Sequence, residues 1–547
     1  MISSIFRRVA GVLLRLPKPT SQMRVQRNIS IKMRDGAELF AHVFAPASGS
    51  AHNTVLMRSP YGRGPLVTFS ASLLAERGLT VVVQSVRGTS GSGGTFDPIR
   101  QERDDGLDTV EWIRAQPWFG GKLFLFGGSY LGVVIWAIAC AAPEKVDGAA
   151  ITVTPSNIGE NILEGGGFAQ GTWLGWTQMM KAVHTVKEST NPAKMMKLDR
   201  FQTHLPLGSM DKEITGDTIE WWQDWLRHDA GDKYWQELDF SAGVTALRSP
   251  VYMVTGWQDL FLPQQLRDFE ARQAAGLDTW LLVGPWSHGG PGGLFGMQKA
   301  CFEFLAALNL GQPPLPGRRH VRVYMQGAKE WRDYPSWPPP NLVPLAYHFR
   351  EGGRLDVAPP AGDEGTARYV YDPADPTPGI YGPTTTPGKT RDMSALERRT
   401  DVVSFTSAPL DEALEIIGPV SVDLAIRSDR EHTDFYVCLC DVDAKGRPIH
   451  VVDGYLRLRP QQPAADEAGV RRISIACWPT AYRFRQGGKL KLFVASGAFP
   501  RYARNLGTGE PLATGVAMVS ARQEILLGAA YSPAIRLLRA TPARERQ

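Results

Sequence analysis

Cysteine does not organise this 547-residue chain. There are five, at Cys140, Cys301, Cys438, Cys440 and Cys477, an odd number with no framework spacing. Cys438 and Cys440 stand two apart in a strand-like run and share a face, a poor arrangement for a disulfide. A reducing compartment is the simpler expectation, and a cytoplasmic location follows from it. The ten histidines are scattered, without H-E-x-x-H or paired Cys/His spacing, so nothing calls for a metal or another cofactor. A net charge of +5 with no dense Lys/Arg run and no nucleic-acid fold motif argues against a nucleic-acid partner. Internal repeats and low-complexity tracts are also missing.

A secretory leader and a membrane span are unexpected at the N-terminus. Met1 to Leu16 puts Ile5, Val9, Val12, Leu13 and Leu16 on one helical stripe, with Arg7, Arg8 and Arg15 elsewhere. Arg15 interrupts any apolar signal core, no small-x-small cleavage site precedes Pro17 and Pro19, and the segment is too short and charged to span a bilayer. Residues 1–24 are expected to be a basic amphipathic segment, fit for weak contact with a membrane surface or with the protein itself.

What the chain has is enough apolar sequence for two or three cores: 43% hydrophobic and 21% charged residues, with 56 Gly and 40 Pro marking many turns. From 25 to 155, short β-rich runs (Thr54–Met57, Leu79–Val83, Gly148–Val153) alternate with helical periodicity over Asp104–Ala115. That alternation predicts a mostly parallel sheet covered on both faces. It stops near 155 and resumes with Pro250–Thr255 and Trp280–Val283. Residues 156–240 between them are Trp- and Met-rich with helical periodicity, as in Ile219–Leu226, and read as an inserted helical cap. Its tryptophans (Trp173, Trp176, Trp221, Trp222, Trp225, Trp235) either wall an apolar pocket or fill a helical core. Beyond the proline-rich stretches at 312–317 and 337–340, short alternating strands such as Val420–Ile426, Phe435–Cys440 and Lys489–Val494 predict a β-sandwich of the jelly-roll kind. The expected organisation is an α/β-hydrolase domain over 25–155 and 241–312, the cap at 156–240, and a jelly-roll domain over 313–547.

The most informative stretch is Leu123-Phe-Leu-Phe-Gly-Gly-Ser-Tyr-Leu-Gly132. Four apolar residues suit a buried parallel strand, and glycines at 127, 128 and 132 leave room for a sharp strand-to-helix turn. A serine there exposes its hydroxyl at the carboxyl edge of the sheet, beside a helix N-terminus, as in a nucleophile elbow. Leu131 departs from a strict G-x-S-x-G. A serine hydroxyl needs a base and an orienting carboxylate. Later strands run into Gly256-Trp-Gln-Asp259 and Gly284-Pro-Trp-Ser-His288, giving the order Ser129, Asp259, His288 expected of an α/β-hydrolase. Oxyanion donors are the backbone N–H of Tyr130 and the Tyr61 phenol in the loop Arg58-Ser-Pro-Tyr-Gly62. The glycine-rich Gly88–Gly94 lacks the Gly-Lys-Ser/Thr ending of a phosphate loop and reads as structural.

These segments resemble the CocE/NonD serine hydrolases, the X-Pro dipeptidyl-peptidase-like group. Matching motifs are Arg58-Ser-Pro-Tyr-Gly62, Val86-Arg-Gly-Thr89, Gln116-Pro-Trp118, Gly127-x-Ser-Tyr-x-Gly132, Gly256-Trp257 with Asp259, and Gly284-Pro-Trp-Ser-His288. In the C-terminal half Tyr371-Asp-Pro373, Asp453-Gly454 and Pro500-Arg-Tyr502 continue the likeness. The resemblance covers roughly residues 25 to 530 and accounts for Leu131, because this family's elbow ends in Ser-Tyr-x-Gly. It implies a nucleophile at Ser129, a general base at His288, an orienting carboxylate at Asp259, and an oxyanion hole from Tyr61 and Tyr130. Ser85 stands where the family usually has an aspartate, for which altered loop packing without loss of catalysis is expected.

The resulting expectation is a serine hydrolase that cleaves a small-molecule carboxylic ester or amide through an acyl-enzyme, the acyl group lying under the cap. One rival is an X-Pro dipeptidyl-peptidase or α-amino-acid ester hydrolase on the same machinery, which must recognise a protonated amine through carboxylates such as Glu164, Asp229 or Asp232. The other is an inactive hydrolase scaffold acting as a binding protein.

Overall fold

The structure, a computed structural model, describes residues 4–47, 49–184, 201–315, 320–384, 390–460 and 463–540. Residues 1–3 of the expected N-terminal helix and 316–317 of the proline-rich stretch lie outside them. The chain forms two compact units. One comprises Met1–Gly159, Thr177–Met195 and Gly231–Arg322; the other comprises Glu160–Trp176, Met196–Ala230 and Val323–Gln547. The division runs through the segment read as the cap.

In the first unit the strands are β1 (Met23–Lys32), β2 (Glu38–Pro46), β3 (His52–Ser59), β4 (Thr80–Ser85), β5 (Phe119–Gly128), β6 (Gly148–Thr152), β7 (Val251–Gln258) and β8 (Thr279–Ser287). They pair in the order β1-β2-β4-β3-β5-β6-β7-β8. The β1–β2 and β2–β4 pairs are antiparallel and the rest are parallel. Every residue of β4, β6 and β7 is buried, as expected of parallel strands covered on both faces.

The main helices of this unit are α1 (Ser4–Leu13), α2 (Pro65–Ala75), α3 (Glu102–Arg114), α4 (Tyr130–Ala141), α5 (Leu262–Ala274) and α6 (Pro291–Asn309). One core cluster joins strand residues Val55, Val81, Phe124 and Val254 to Leu73 and Leu74 of α2 and Phe304 and Leu305 of α6. Helix α4 is buried on every side from Tyr130 to Ala139, which explains its nearly unbroken apolar sequence. The N-terminal helix docks through Arg7, Ala10 and Leu14, and Leu14 joins the core cluster.

Among the described residues of the second unit, eleven strands between Leu342 and Ala540 share one ladder. The long strand Leu414–Ser428 pairs with Arg471–Phe484 and with Ala534–Ala540, and Ala534–Ala540 also pairs with Leu342–Arg350. The C-terminal β-domain is therefore a sheet that closes on itself, bending where a register shift falls between Gly418 and Val420. Tryptophans of the second unit pack edge to face: Trp173 lies 5.7 Å from Trp176 and 5.2 Å from Trp225. All three are buried, so they fill a helical core.

The five cysteines are unpaired. The Cys438 and Cys440 sulfurs lie 3.7 Å apart on one strand. Among the described residues no helix is long and apolar enough to cross a membrane.

Candidate active site

The turn between β5 and α4 holds Ser129 at φ 57°, ψ −130°, a conformation an L-residue adopts only under local constraint. Its N–H donates to Thr152 O at 3.0 Å, and its carbonyl accepts from the Thr154 hydroxyl at 2.8 Å, so the end of β6 fixes the turn. The glycines are steric requirements. A Cβ on Gly128 would lie 2.2 Å from Thr152 Oγ1, and one on Gly127 would lie 2.5 Å from Leu131 O. Gly127 also clears the Leu131 side chain, which enters the core cluster; this is why the turn accommodates leucine where the strict motif has glycine.

The residues expected as base and orienting carboxylate, His288 and Asp259, leave adjacent strands together. Gln258 of β7 pairs with Ser287 of β8, so the next residues, Asp259 and His288, emerge side by side. His288 Nδ1 lies 2.7 Å from Asp259 Oδ2, and His288 Nε2 lies 2.9 Å from Ser129 Oγ. Asp259 is fully buried, and its other oxygen accepts the Phe261 N–H at 2.8 Å. The Phe261 ring stands edge-on to the imidazole at 5.4 Å. A carboxylate so placed can hold an imidazole with Nδ1 as donor, which leaves Nε2 facing the serine hydroxyl.

Tyr61 follows β3, the neighbour of β5. The parallel register Leu56–Leu125, continued three residues, puts Ser59 level with Gly128, which brings the Tyr61 loop to the same sheet edge as the elbow. The Tyr61 N–H is held by Ser59 Oγ at 3.1 Å. Beside it, the Arg63 guanidinium donates to Ser85 Oγ, to Phe40 O and Ser90 O, and to Asn28 Oδ1. Ser85 thus braces the loop that carries Tyr61, through Arg63.

Beneath the elbow lies a group that the sequence did not mark. The Tyr130 hydroxyl donates to Glu102 Oε1 at 2.8 Å and accepts the Ile99 N–H at 2.9 Å. Arg58, the residue before Ser59, donates to Glu102 Oε2 at 2.5 Å and to Gln84 Oε1 at 2.6 Å. Burial pushes the Glu102 carboxyl pKa up, against the opposing pull of Arg58. One buried carboxylate therefore ties the end of β3 to the residue that follows Ser129. A glutamate at a helix start reads in sequence as a partner for the helix dipole, and its contact with Tyr130 has no local signature.

Of the carboxylates considered for amine recognition, Glu164 is taken by the Trp478 indole at 2.7 Å and Arg501 at 3.3 Å. Asp229 pairs with Arg459 at 3.1 Å. The amides of the Gly88–Gly94 loop are partly spent, Gly88 donating to Gly93 O within the loop and Gly93 to Glu38 O of β2. Among the described residues no group of three or more His, Cys, Asp or Glu side chains is disposed to hold a metal.

A mostly parallel sheet with a serine at its elbow, followed by a β-domain, defines an α/β-hydrolase of the serine class. Residues 35–290 match the family described as X-Pro dipeptidyl-peptidase (S15 family), and residues 317–533 match the X-Pro dipeptidyl-peptidase C-terminal non-catalytic domain. The cocaine esterase of Rhodococcus sp. is 28% identical over 545 residues, spanning 89% of this chain and 93% of that protein. An aminopeptidase from the marine sediment archaeon Thaumarchaeota archaeon superposes with a TM-score of 0.81 at 21% identity, over 96% of this chain and 98% of the other. An α-amino acid ester hydrolase does so with a TM-score of 0.77, also at 21% identity, over 96% and 97%. At these identities the structural likeness speaks for the fold alone. The chain belongs to the CocE/NonD, X-Pro dipeptidyl-peptidase-like family of serine hydrolases.

Proposed function

We propose that the chain hydrolyses carboxylic esters through an acyl-enzyme formed on Ser129. His288 takes the serine proton as the hydroxyl attacks the carbonyl, then returns it to the departing alkoxide. Asp259 orients the imidazole and stabilises its charged form. Water, deprotonated by the same histidine, then releases the acid. The Tyr130 N–H and the Tyr61 hydroxyl stabilise the oxyanion of each tetrahedral intermediate.

The observation that carries this reading is the pair of contacts at His288, 2.9 Å to Ser129 and 2.7 Å to Asp259. A simple ester is favoured over a substrate with a free amine because Glu164 already faces Arg501. A carboxylate compensated by an arginine offers little net charge to an ammonium group. The esterase named among the relatives points the same way.

A fluorophosphonate probe is expected to label the native protein and not Ser129→Ala, with aryl-ester turnover falling at least about a thousandfold in the variant. Equal labelling of the two proteins would refute the role of Ser129. Among aryl esters, aminoacyl esters and X-Pro anilides, the first are expected to give the highest kcat/KM. A preference for either amine-bearing class would return the reading to the peptidase or amino-acid ester hydrolase branch.

A further inference from the structure

Helix α1 is mounted the wrong way round for a helix whose outer neighbour is water. Ile5, Val9, Val12 and Leu13 are 74%, 52%, 77% and 70% exposed. Spaced four, three and one apart, they form one continuous aliphatic stripe along the ten-residue helix. The face turned to the protein holds Arg7, buried and bonded to Glu76 at 2.9 Å, with Ala10 and Leu14. An ordinary surface helix buries its apolar stripe and leaves its arginines in water.

The mounting is firm. Arg77 donates to Pro17 O at 2.8 Å, and Glu76 O accepts the N–H groups of Thr20 and Ser21. The stripe is therefore presented by a helix clamped to the end of α2.

Charge identifies what the stripe meets. Arg8, Arg15 and Lys18 are exposed beside it, and from Met1 to Arg34 the chain carries eight Lys or Arg and no Asp or Glu. A second copy would bring the same cations to the same place, and like charges would oppose pairing. We infer that α1 is an interfacial helix that seats its Ile5–Leu13 stripe in the headgroup region of an anionic phospholipid bilayer. Ten residues are too few to cross a bilayer, but they suffice to lie in its surface, with arginines among the phosphates and aliphatic side chains below them.

The test uses the full chain with vesicles of phosphatidylcholine alone or mixed with phosphatidylglycerol, read by co-sedimentation. The native protein is expected to bind the mixed vesicles, and to release as salt is raised from about 0.05 M to about 0.5 M. The double variant Val12→Glu with Leu13→Glu is expected to lose at least about tenfold in binding. Both positions are exposed, so its aryl-ester turnover stays native and reports an intact fold. Arg8→Glu with Arg15→Glu is expected to weaken binding to the mixed vesicles selectively. Native protein left in the supernatant with both vesicles would overturn the proposal, as would equal binding to both or native-level binding by the double glutamate variant. A dimer that the glutamates convert to monomer, without vesicle binding, would assign the stripe to a second copy and overturn it too.

Discussion

Two buried ionic clusters, one in each unit, are built from nearly the same parts and do different work. Under the elbow, Arg58 donates to Glu102 and Gln84, and the other Glu102 oxygen accepts from the Tyr130 hydroxyl. In the second unit, Arg501 lies 2.8 Å from both oxygens of Asp453 and 3.3 Å from Glu164, with His450 on Asp453 and Trp478 on Glu164. Each arginine compensates carboxylates that burial would otherwise hold uncharged. The difference lies in where the last hydrogen bond goes. The first cluster ends on the side chain of the residue that follows Ser129, and the second ends on strands and on the segment around Glu164. Similar electrostatics therefore braces the turn that holds Ser129 in one unit and the packing of strands in the other.

Removing the arginines tests the shared half of this comparison and should give the largest effects. Arg501→Met leaves Glu164 and Asp453 buried without a cation, and is expected to lower stability by about 3–5 kcal/mol in urea or thermal unfolding. Arg58→Met strands Glu102 in the same way, with a loss of about 3 kcal/mol and a fall in turnover as well. A variant of either arginine with native stability would mean that its cluster is held by packing alone.

The functional half of the comparison is sharpened by changes that remove hydrogen bonds and no charge. Tyr130→Phe frees the Ile99 N–H and Glu102 and loosens the residue whose N–H is proposed to stabilise the oxyanion. Aryl-ester kcat is expected to drop about tenfold with KM unchanged, because the donor acts in the transition state. Trp478→Phe deletes the indole bond to Glu164 and is expected to cost about 1 kcal/mol of stability and nothing in kcat. Equal kcat losses in the two variants would erase the distinction between the clusters.

Sequence patterns reached one cluster's output and neither cluster's interior. Ser129, Asp259 and His288 were legible because each follows a short apolar run that could only be a strand, and strand ends share an edge. The pairing of Gln258 with Ser287, which sets the aspartate beside the histidine, depends on one extra residue in β8, where the step from Gly284 to Ser287 matches that from Gly256 to Gln258, and it has no local signature. Glu102 opens a helix, where acidic residues are common, and Glu164 was legible only as a carboxylate of undecided use. Its partner Arg501 lies more than three hundred residues away. The closure of the C-terminal ladder was equally hidden, because it rests on the final strand Ala534–Ala540 pairing on both sides.

Acid should separate the clusters again, with a smaller effect. Burial alone would raise the Asp453 carboxyl, but Arg501 and His450 hold its pKa down to about 2. Its contribution is therefore present above the ordinary carboxylate value near 4, and is lost as pH falls from about 4 toward about 2, a change of roughly 2 kcal/mol. Burial also lowers the His450 pKa, against the pull of Asp453. The unfolded chain accordingly takes up a proton below about 6.5 that the folded one refuses, and stability begins to fall there. Glu102 and Glu164 are raised by burial, so their terms run the other way and are lost as pH rises through their folded values. Melting temperature should decline between about pH 6.5 and pH 5 in the native protein and stay flatter in His450→Gln. An unchanged slope in that variant would remove His450 as the source.

The smallest expected effect lies between charge and shape at Ser85. The serine is fully buried and accepts from Arg63, whose pKa burial lowers, two residues after Tyr61. Ser85→Asp supplies a carboxylate where a neutral oxygen now sits. The new pair gains more than a surface pair would, because Arg63 is half removed from water, yet the carboxylate must itself be desolvated at a position with no exposure. Arg63 already donates through its terminal nitrogens to Phe40 O, Ser90 O and Asn28 Oδ1, and only its buried Nε lacks a hydrogen-bond partner, so a carboxylate at position 85 has at most that one donor left to gain. These opposing contributions should leave stability within about 1 kcal/mol of native and kcat within about twofold. A tenfold fall in kcat at native stability would show that the Tyr61 loop is as sensitive to its brace as Tyr130 is to Glu102. The oxyanion site would then depend on two buried supports, where the hydrogen bonds beneath the elbow argue for one.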